Sequence, residues 1–492
     1  MPDNALSHFW EAYLAVSHFL KADTEAQVLV IGSAGGQETK AALTYNAGHV
    51  DGIELVSKVV ELGKGRYNDY IGGVMTDPRT DIRAGEGRSF LRSTGKQYDI
   101  IQINSNHTSS SIAAGSGAMQ SAYLQTVEAY KEFFSSLTAD GILHINHHIY
   151  PKMVATAAQA WADMGRENFR DHVLVFEAAG QLDNLPTLFI RMQPWTQAVV
   201  AKTAGFLKNF TLVVNPLDPD SSFLTQPFFE PDFPEDLAGK IPYRVMPPRD
   251  NKPFFNSLRK NLDILPEESR EKFVNTSISG LMNSQQATGF PIDIVHLVVT
   301  AGAALVFALV FTLVPMVFSR AGRTPWQGKG SVLVYFSCLG SGYIILQLVF
   351  IQIFMKLIGF PLYTYTTVVF TFLFAAGLGS LLSENFRLLE KQRWWIPFVG
   401  IVISALLLLF YQQVLFDEFL QYPTLARIAI AIGMIFPLAF FLGMPFPLGI
   451  LAVQFKPEGT VAWAWAFNGL FTVVGGIFCA IFSVYFGFRS TM

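Results

Sequence analysis

The chain has 492 residues, of which 51% are hydrophobic, 14% aromatic and only 15% charged. This composition excludes a disordered or collagen-like chain, and a net charge of −3 gives no electrostatic footprint for nucleic-acid binding. Residues 291–492 carry 16 of the 73 charged side chains, so charge is concentrated in the first part of the chain. This asymmetry predicts a soluble domain joined to a membrane domain.

Apolar, strand-like runs alternate with helical stretches in the first part of the chain. The candidate strands are residues 27–32, 49–54, 80–84, 98–104, 141–148, 171–177 and 186–192. This order predicts a doubly wound, Rossmann-like α/β domain with a parallel sheet. Because ligands bind beyond the carboxyl ends of the strands in such a sheet, we expect the functional residues at that edge.

Three motifs follow the first three strands. The turn VLVIGSAGGQET opens a helix with Gly32, Gly35 and Gly36, where backbone can approach a ligand and the helix N-terminus supplies free amides. Glu54 ends the second strand, where an acid can accept hydrogen bonds from ribose hydroxyls. Glu86 lies between two glycines after the third strand, where a carboxylate can accept a hydrogen bond from an adenine amino group. Together these motifs predict a nucleoside ligand, and the alternative is that Glu54 and Glu86 are solvated loop acids.

Histidines follow the fourth and fifth strands. His107 lies in a serine-rich segment, residues 104–117, which is either a mobile lid or an ordinary surface loop. Alternation along the fifth strand sends His144 and His148 to one face of the sheet and His147 to the other. A base or metal cluster with His107 is one interpretation, but buried or loop histidines are commoner, and we predict no metal site.

The last part of the chain contains six stretches without Asp, Glu, Lys or Arg. Each is longer than the ~20 residues that a helix needs to cross a bilayer. We predict transmembrane helices at about 294–319, 330–356, 361–383, 395–416, 428–453 and 460–487. The predicted domains are a nucleoside-binding domain, residues 1–198, an irregular connecting segment that docks to the membrane domain, residues 199–290, and the transmembrane domain, residues 291–492.

The charges between the helices bear on orientation. Basic loop residues favour an outward-facing N-terminal domain by the positive-inside rule, but long domains carry little weight in that rule. Moving about 290 folded residues across a bilayer without a signal sequence is difficult, and no such signal is visible. We therefore expect an integral protein of the inner or plasma membrane with a cytoplasmic N-terminal domain.

The order of motifs resembles that of a known family. VLVIGSAGGQETKAAL, GIELVSKVVELGKGRY, DPRTDIRAGEGRSFL, YDIIQIN and LTADGILHIN, which span roughly residues 27–150, are similar to motifs of the spermidine synthases. These are aminopropyltransferases with the class I S-adenosylmethionine fold. RDNKPFFN, GFPLYTYTTVVF, FAAGLGSLLS, FLGMPFPLG and VAWAWAFNG resemble stretches of a membrane-embedded branch of the same family. Members of that branch usually carry transmembrane helices before the synthase domain, so the resemblance implies a chain that is truncated, split or joined by a partner subunit that supplies them.

The resemblance also implies roles for individual residues. The co-substrate would be decarboxylated S-adenosylmethionine or S-adenosylmethionine itself. The implied contacts are Gly32, Ser33, Gly35 and Gly36 with its methionine portion, Glu54 with the ribose, and Glu86 with Gly87 at the adenine. Ala34 replaces the middle glycine of the usual turn, a substitution tolerated only if φ is negative there. Gly35 replaces the acid that soluble family members use near the co-substrate's amino end.

The family's catalytic aspartate aligns with Asn104, which leaves enzymatic activity open. Aminopropyl transfer requires a neutral amine nitrogen, and Asn104 cannot bind its cation or accept its proton as an ion. The second acid of the family's loop aligns near His107, which could act as the base because an unperturbed histidine has a pKa of about 6.5.

Three functions are therefore weighed. The first is a membrane-bound transferase that moves an aminopropyl group to an amine acceptor. The second is an S-adenosylmethionine-dependent methyltransferase. The third is a non-catalytic nucleoside-sensing or transport-related membrane protein. The expected partners are the acceptor, the lipid bilayer and the additional subunit, with no nucleic acid.

Overall fold

The computed structural model describes residues 12–104, 121–147, 150–177, 186–218, 245–256, 292–385, 388, 392–453 and 459–492. The chain forms two compact units, Met1–Val295 and His296–Met492. The boundaries predicted at residues 198 and 290 stay predictions.

The first unit is built on one sheet of eight strands. The strands are β1 (Gln27–Ile31), β2 (His49–Glu54), β3 (Thr80–Ala84), β4 (Tyr98–Asn104), β5 (Leu137–Asn146), β6 (Val173–Glu177), β7 (Thr187–Arg191) and β8 (Thr211–Val214). Their order in the sheet is β3-β2-β1-β4-β5-β7-β6-β8. This order confirms the predicted Rossmann-like class.

The sheet is mixed rather than parallel throughout. Strands β1 to β5 pair in parallel, whereas β7 runs antiparallel to both β5 and β6, and β8 runs antiparallel to β6. A parallel connection needs about a dozen residues or more, usually with a helix. The chain between Glu177 and Thr187 is shorter than that, so β7 returns in the opposite direction.

Helices cover both faces of the sheet. They are α1 (Val16–Leu20), α2 (Gln37–Thr44), α3 (Ser57–Lys64), α4 (Gly87–Thr94), α5 (Val127–Ser135), α6 (Tyr150–Asp163) and α7 (Gln197–Phe206). In β5, Leu143 packs into the cluster that contains the α5 side chain Phe133, whereas its neighbour Ile142 packs into the cluster on the opposite face with Val200 of α7. Burial on both faces explains why the central strands are continuous apolar runs.

Residues 245–256 pack against this domain. Val245 and Phe255 are buried in its main hydrophobic core, and Pro248 and Pro253 accept backbone hydrogen bonds from Val127 and Ala122. We call residues 245–256 the strap.

Two buried cations fasten the strap. Arg88 donates to Glu132 of α5 and to Asp250 of the strap, with a closest Nη1 to Oδ1 distance of 2.8 Å for Asp250. Lys152 donates to the carbonyl oxygens of Phe254 and Phe255. The segment that the sequence predicts to be irregular thus includes a part fixed to the sheet domain.

The second unit is helical. Its helices are α8 (Ile292–Phe318), α9 (Arg320–Arg323), α10 (Lys329–Ile358), α11 (Pro361–Asn385), α12 (Ile396–Phe419), α13 (Thr424–Leu442), α14 (Pro445–Val453), α15 (Thr460–Phe486) and α16 (Phe488–Thr491). Within the described residues, six segments are long and apolar enough to cross a membrane. They fall in the six regions that the sequence predicts.

The fifth of these segments is not one continuous helix. The sequence predicts a single helix over residues 428–453, but α13 ends at Leu442 and α14 begins at Pro445. Pro445 has no N–H with which to continue the helical hydrogen bonds, and its ring clashes with the preceding turn of a continuous helix. The Tyr335 hydroxyl of α10 donates to the Pro445 carbonyl over 2.6 Å, which holds the break against a neighbouring helix.

Close helix contacts in this unit occur at small residues. A Cβ on Gly340 of α10 would lie 2.2 Å from the carbonyl oxygen of Asn468 in α15, and one on Gly379 of α11 would lie 2.0 Å from that of Phe440 in α13. Asn468 also donates its amide to the Phe336 carbonyl of α10 over 3.3 Å. These contacts have the form expected where packing and interhelical hydrogen bonds hold apolar helices together.

Candidate functional site

The turn after β1 adopts a left-handed backbone at three positions. Gly32 and Gly36 have φ of +85° and +83°, and Ala34 has φ of +35°. The expectation of a negative φ at Ala34 is therefore wrong. A residue with a Cβ is destabilised by roughly 1–2 kcal/mol in this region of backbone conformation. A hydrogen bond of 2.9 Å from the Ala34 N–H to Glu54 Oε2 stabilises the strained turn.

Glu54 ends β2 and is buried, with 8% of its surface exposed. Its Oε2 accepts from the Ala34 N–H and its Oε1 accepts from the Val56 N–H, both over 2.9 Å. Glu54 is thus no solvated loop acid, because it fixes the glycine-rich turn. Each carboxylate oxygen keeps a second lone pair, which leaves Glu54 able to accept from a ligand.

Glu86 caps α4. Its Oε1 accepts from the Arg88 N–H over 3.1 Å, and its Oε2 accepts from the N–H and the hydroxyl of Ser89 over 2.8 and 2.9 Å. A Cβ on Gly87 would lie 2.6 Å from a methyl carbon of Ile31, so this glycine lets α4 approach β1. The sequence alone did not predict this capping role for Glu86. Adenine binding by Glu86 stays a prediction.

The ends of the first three strands lie side by side. Glu54 pairs in register with Ala84, and the Gly85 N–H donates to the Glu54 carbonyl over 2.9 Å. Gly32 likewise donates to the carbonyl of Ile53 over 2.8 Å. The three motifs are therefore brought to one edge of the sheet, as the sequence predicts.

Asn104 ends β4 and contacts an acid that the sequence reading did not single out. Its Nδ2 donates to Glu38 Oε1 over 2.7 Å. Glu38 lies in the first turn of α2 and is only 5% exposed. Burial raises the pKa of Glu38 above its ordinary value, and the hydrogen bond from Asn104 opposes that shift. The pKa of the nearby Tyr13 is also raised, first by burial and then by the negative charge of Glu38.

Three polar atoms on the segments that follow β1 and end β4 have spare hydrogen-bonding capacity. Among the residues that the structure describes, Ser33 Oγ, Thr39 Oγ1 and Asn104 Oδ1 are buried without a hydrogen-bond partner. Buried polar atoms are normally paired. Ser33 of the turn and Asn104 at the end of β4 thus have the donors and acceptors that a polar nucleoside co-substrate requires, and the residues fit such a group.

The histidine cluster considered from the sequence stays untested, because only His144 and His147 of its members lie within the described residues. His107 and His148 lie outside the described residues. His144 is fully buried, pairs through Nδ1 with Ser17 Oγ over 2.8 Å, and has a pKa held well below its usual range by burial. His147 instead packs edge-on against Phe255 of the strap. In the described parts of the chain, no three His, Cys, Asp or Glu side chains are grouped to hold a metal ion.

The strand order and the glycine-rich turn define a Rossmann-like α/β domain. Residues 11–171 match the family model of the spermine/spermidine synthase domain, which confirms the resemblance for this part of the chain. The chain is 27% identical over 159 residues to a polyamine aminopropyltransferase of Korarchaeum cryptofilum, covering 32% of this chain and 45% of the relative. It is 31% identical over 125 residues to one of Alkaliphilus oremlandii, covering 25% of this chain and 40% of the relative. The chain thus spans less than half the length of these relatives.

Solved structures with similar domains include synthases and methyltransferases. Spermidine synthase from Thermotoga maritima has 18% identity and a TM-score of 0.28, covering 37% of this chain and 59% of that one. Human methyltransferase-like protein 13 in complex with SAH has 16% identity and a TM-score of 0.29, covering 41% of this chain and 90% of that one.

Proposed function

We propose that the first unit binds a nucleoside of the S-adenosylmethionine class and transfers an aminopropyl group to an amine. The observation that carries this proposal is the synthase-domain match over residues 11–171, with relatives named polyamine aminopropyltransferases. The geometry agrees, because the glycine-rich turn, Glu54 and Glu86 meet at the edge where such sheets bind ligands.

The chain's own residues have distinct parts in this proposal. Gly32, Ser33, Gly35 and Gly36 form the turn that receives the methionine-derived portion, and Glu54 accepts from the ribose hydroxyls with its remaining lone pairs. Glu86 and Gly87 receive the adenine. When bound, decarboxylated S-adenosylmethionine supplies a carbon activated by its sulfonium.

We also propose that the second unit is embedded in an inner or plasma membrane with the first unit on the cytoplasmic side. Large apolar side chains on its helices are exposed, such as Phe311 at 72% and Phe410 at 71%. Soluble proteins rarely expose continuous apolar surfaces of this kind, whereas lipid covers them. Proteolysis of the first unit in inside-out but not in right-side-out vesicles is the expected result.

Calorimetry on the full chain in detergent tests the proposed ligand. Decarboxylated S-adenosylmethionine should bind more tightly than S-adenosylmethionine, and Glu54→Ala should weaken binding about ten- to hundredfold, because a charge-assisted hydrogen bond and the order of the turn are lost. The matched control is Glu61→Ala, an exposed acid on α3. It should bind as the parent does.

The outcomes separate the candidate functions. Tighter binding of ordinary S-adenosylmethionine would favour methyl transfer and count against aminopropyl transfer. Binding of neither compound would overturn the proposal. Mass spectrometry of an amine acceptor incubated with the tighter ligand then identifies the group transferred.

A further inference from the structure

Glu38 is a buried carboxylate, and none of the described residues forms an ion pair with it. Its hydrogen bond from Asn104 supplies a dipole rather than a charge. Burying an unpaired carboxylate is costly, and the positive end of the α2 dipole offsets only part of that cost.

A second buried acid of the same domain shows the contrast. Glu132 is also largely buried, but Arg88 and Arg92 both contact its carboxylate, and together they hold its pKa below the ordinary value. Glu132 therefore forms part of a complete ionic network that fastens the strap. Glu38 has the same carboxylate, but within the described parts of the chain no arginine or lysine contacts it.

The cation that fits this place is an ammonium. An ammonium has three donors and no acceptor, and it needs oxygen atoms around it. Glu38 offers a carboxylate, and Asn104 offers its buried Oδ1, which has no partner among the described residues. The hydrogen bond from Asn104 Nδ2 to Glu38 Oε1 holds the Asn104 amide next to the carboxylate.

We propose that the Glu38 carboxylate, held by Asn104, binds the cationic nitrogen of the acceptor amine and takes its proton. This inference rests on the proposed aminopropyl transfer. It gives Glu38 the role of the family's aspartate, whose place at the end of β4 is taken by Asn104. The acid lies on α2 instead, with an amide at the strand end. A second carboxylate at position 104 would face Glu38 at hydrogen-bond distance, and two like charges there oppose ionisation.

The acceptor ammonium gives one proton to Glu38, and the freed lone pair on nitrogen forms a bond to the carbon beside the sulfonium. The carbon–sulfur bond breaks with its electron pair on sulfur, which becomes a neutral thioether. Glu38 then releases the proton to solvent. A carboxylate with a raised pKa suits this task, since it holds the proton more readily than an exposed acid.

Amine binding can be measured without turnover. We expect putrescine to bind the full chain when 5′-methylthioadenosine occupies the nucleoside site, and Glu38→Gln to weaken putrescine binding about ten- to hundredfold through loss of a charged hydrogen-bond partner. The affinity for 5′-methylthioadenosine should stay within about twofold, which also shows that the variant is folded. Glu61→Gln is the matched control at an exposed position.

Exchanging the two groups gives the sharpest test. The double variant Glu38→Gln with Asn104→Asp restores one carboxylate and one amide in reversed positions, and it should regain part of the putrescine affinity that Glu38→Gln loses. The product rate with decarboxylated S-adenosylmethionine should follow the same order, with Glu38→Gln lower by about 10²- to 10⁴-fold. If Glu38→Gln no longer binds 5′-methylthioadenosine, putrescine binding by the double variant becomes the test. Recovered binding supports the role of the carboxylate, and absent binding overturns it.

Failure of this inference is distinguishable from failure of the proposed function. A Glu38→Gln chain that binds putrescine and forms product like the parent overturns the role of Glu38 and leaves aminopropyl transfer standing. A parent that binds putrescine through Glu38 but forms no aminopropyl product overturns the function and leaves the amine site standing. A parent that binds no putrescine overturns the amine site.

Discussion

Ala34 shows how a single residue can be strained to shape a binding turn. Its φ of +35° places a Cβ where glycine is favoured, and the Glu54 carboxylate compensates by accepting from the Ala34 N–H. The strain thus lies within the glycine-rich turn, where we propose that a ligand binds. This agrees with the wider observation that unusual backbone conformations gather at functional sites.

Replacing Ala34 by glycine should stabilise the first unit. Relief of the left-handed strain outweighs the extra chain entropy of glycine, so we expect a gain of about 0.5–1 kcal/mol in the free energy of unfolding. Urea denaturation of the full chain measures it. Ala201→Gly is the matched control, because Ala201 is exposed within α7 and its replacement should cost about 1 kcal/mol. A destabilised Ala34→Gly chain would show that the Ala34 methyl group makes a favourable contact.

Elements were predictable where their signal is local. Alternating apolar runs located β1 to β5, and uninterrupted apolar composition located the long helices, because each pattern is set by burial along a short stretch. The break before Pro445 and the antiparallel direction of β7 were missed, although a proline and a short connection are local features that bear on each. The sequence carried a signal for the break in the Gly-Met-Pro run at 443–445.

The site was predictable in part for the same reason. Glu54 and Glu86 follow their strands directly, so strand order alone brings them together. Glu38 was missed because an acid in a first helical turn is usually explained by the helix dipole. Its partner Asn104 lies 66 residues away in sequence, and only the placement of β4 beside β1 brings them into contact.

Helix packing in the second unit gives a matched pair of predictions. Gly340→Ala places a Cβ 2.2 Å from the Asn468 carbonyl oxygen, so α10 and α15 must separate, whereas a Cβ at Gly342 meets nothing within 4 Å. Overpacking of this kind costs about 1–3 kcal/mol. The thermal midpoint in detergent should fall for Gly340→Ala and stay equal or rise for Gly342→Ala, because alanine is the better helix former and its methyl group meets no obstacle there. Equal midpoints would mean that the two helices do not pack closely at Gly340.

At the scale of the whole first unit, two buried histidines set a dependence of stability on pH. His18 donates through Nε2 to Gln102 over 2.8 Å, and burial lowers its pKa to about 4. Burial also lowers the pKa of His144, and the two rings disfavour each other's charge. Both are therefore neutral in the folded state.

The sign of the effect follows from these shifts. The unfolded chain binds protons on histidine below about pH 6.5 while the folded chain does not, so the free energy of unfolding should fall as pH drops from 6.5 towards 4. The slope is at most about 1.4 kcal/mol per pH unit for each histidine. Urea titrations at successive pH values measure it, and His18→Asn should flatten the slope. An unchanged slope in that variant would remove His18 as a cause.

The strap has a consequence for how relatives of this chain can diverge. Asn104 is tied to Glu38 at one end of residues 105–120, and the Ala122 N–H is tied to Pro253 of the strap just past the other end. Both anchors belong to the scaffold rather than to the stretch between them. Relatives can therefore differ in length and sequence between these two anchors while the anchors and the strap stay in place.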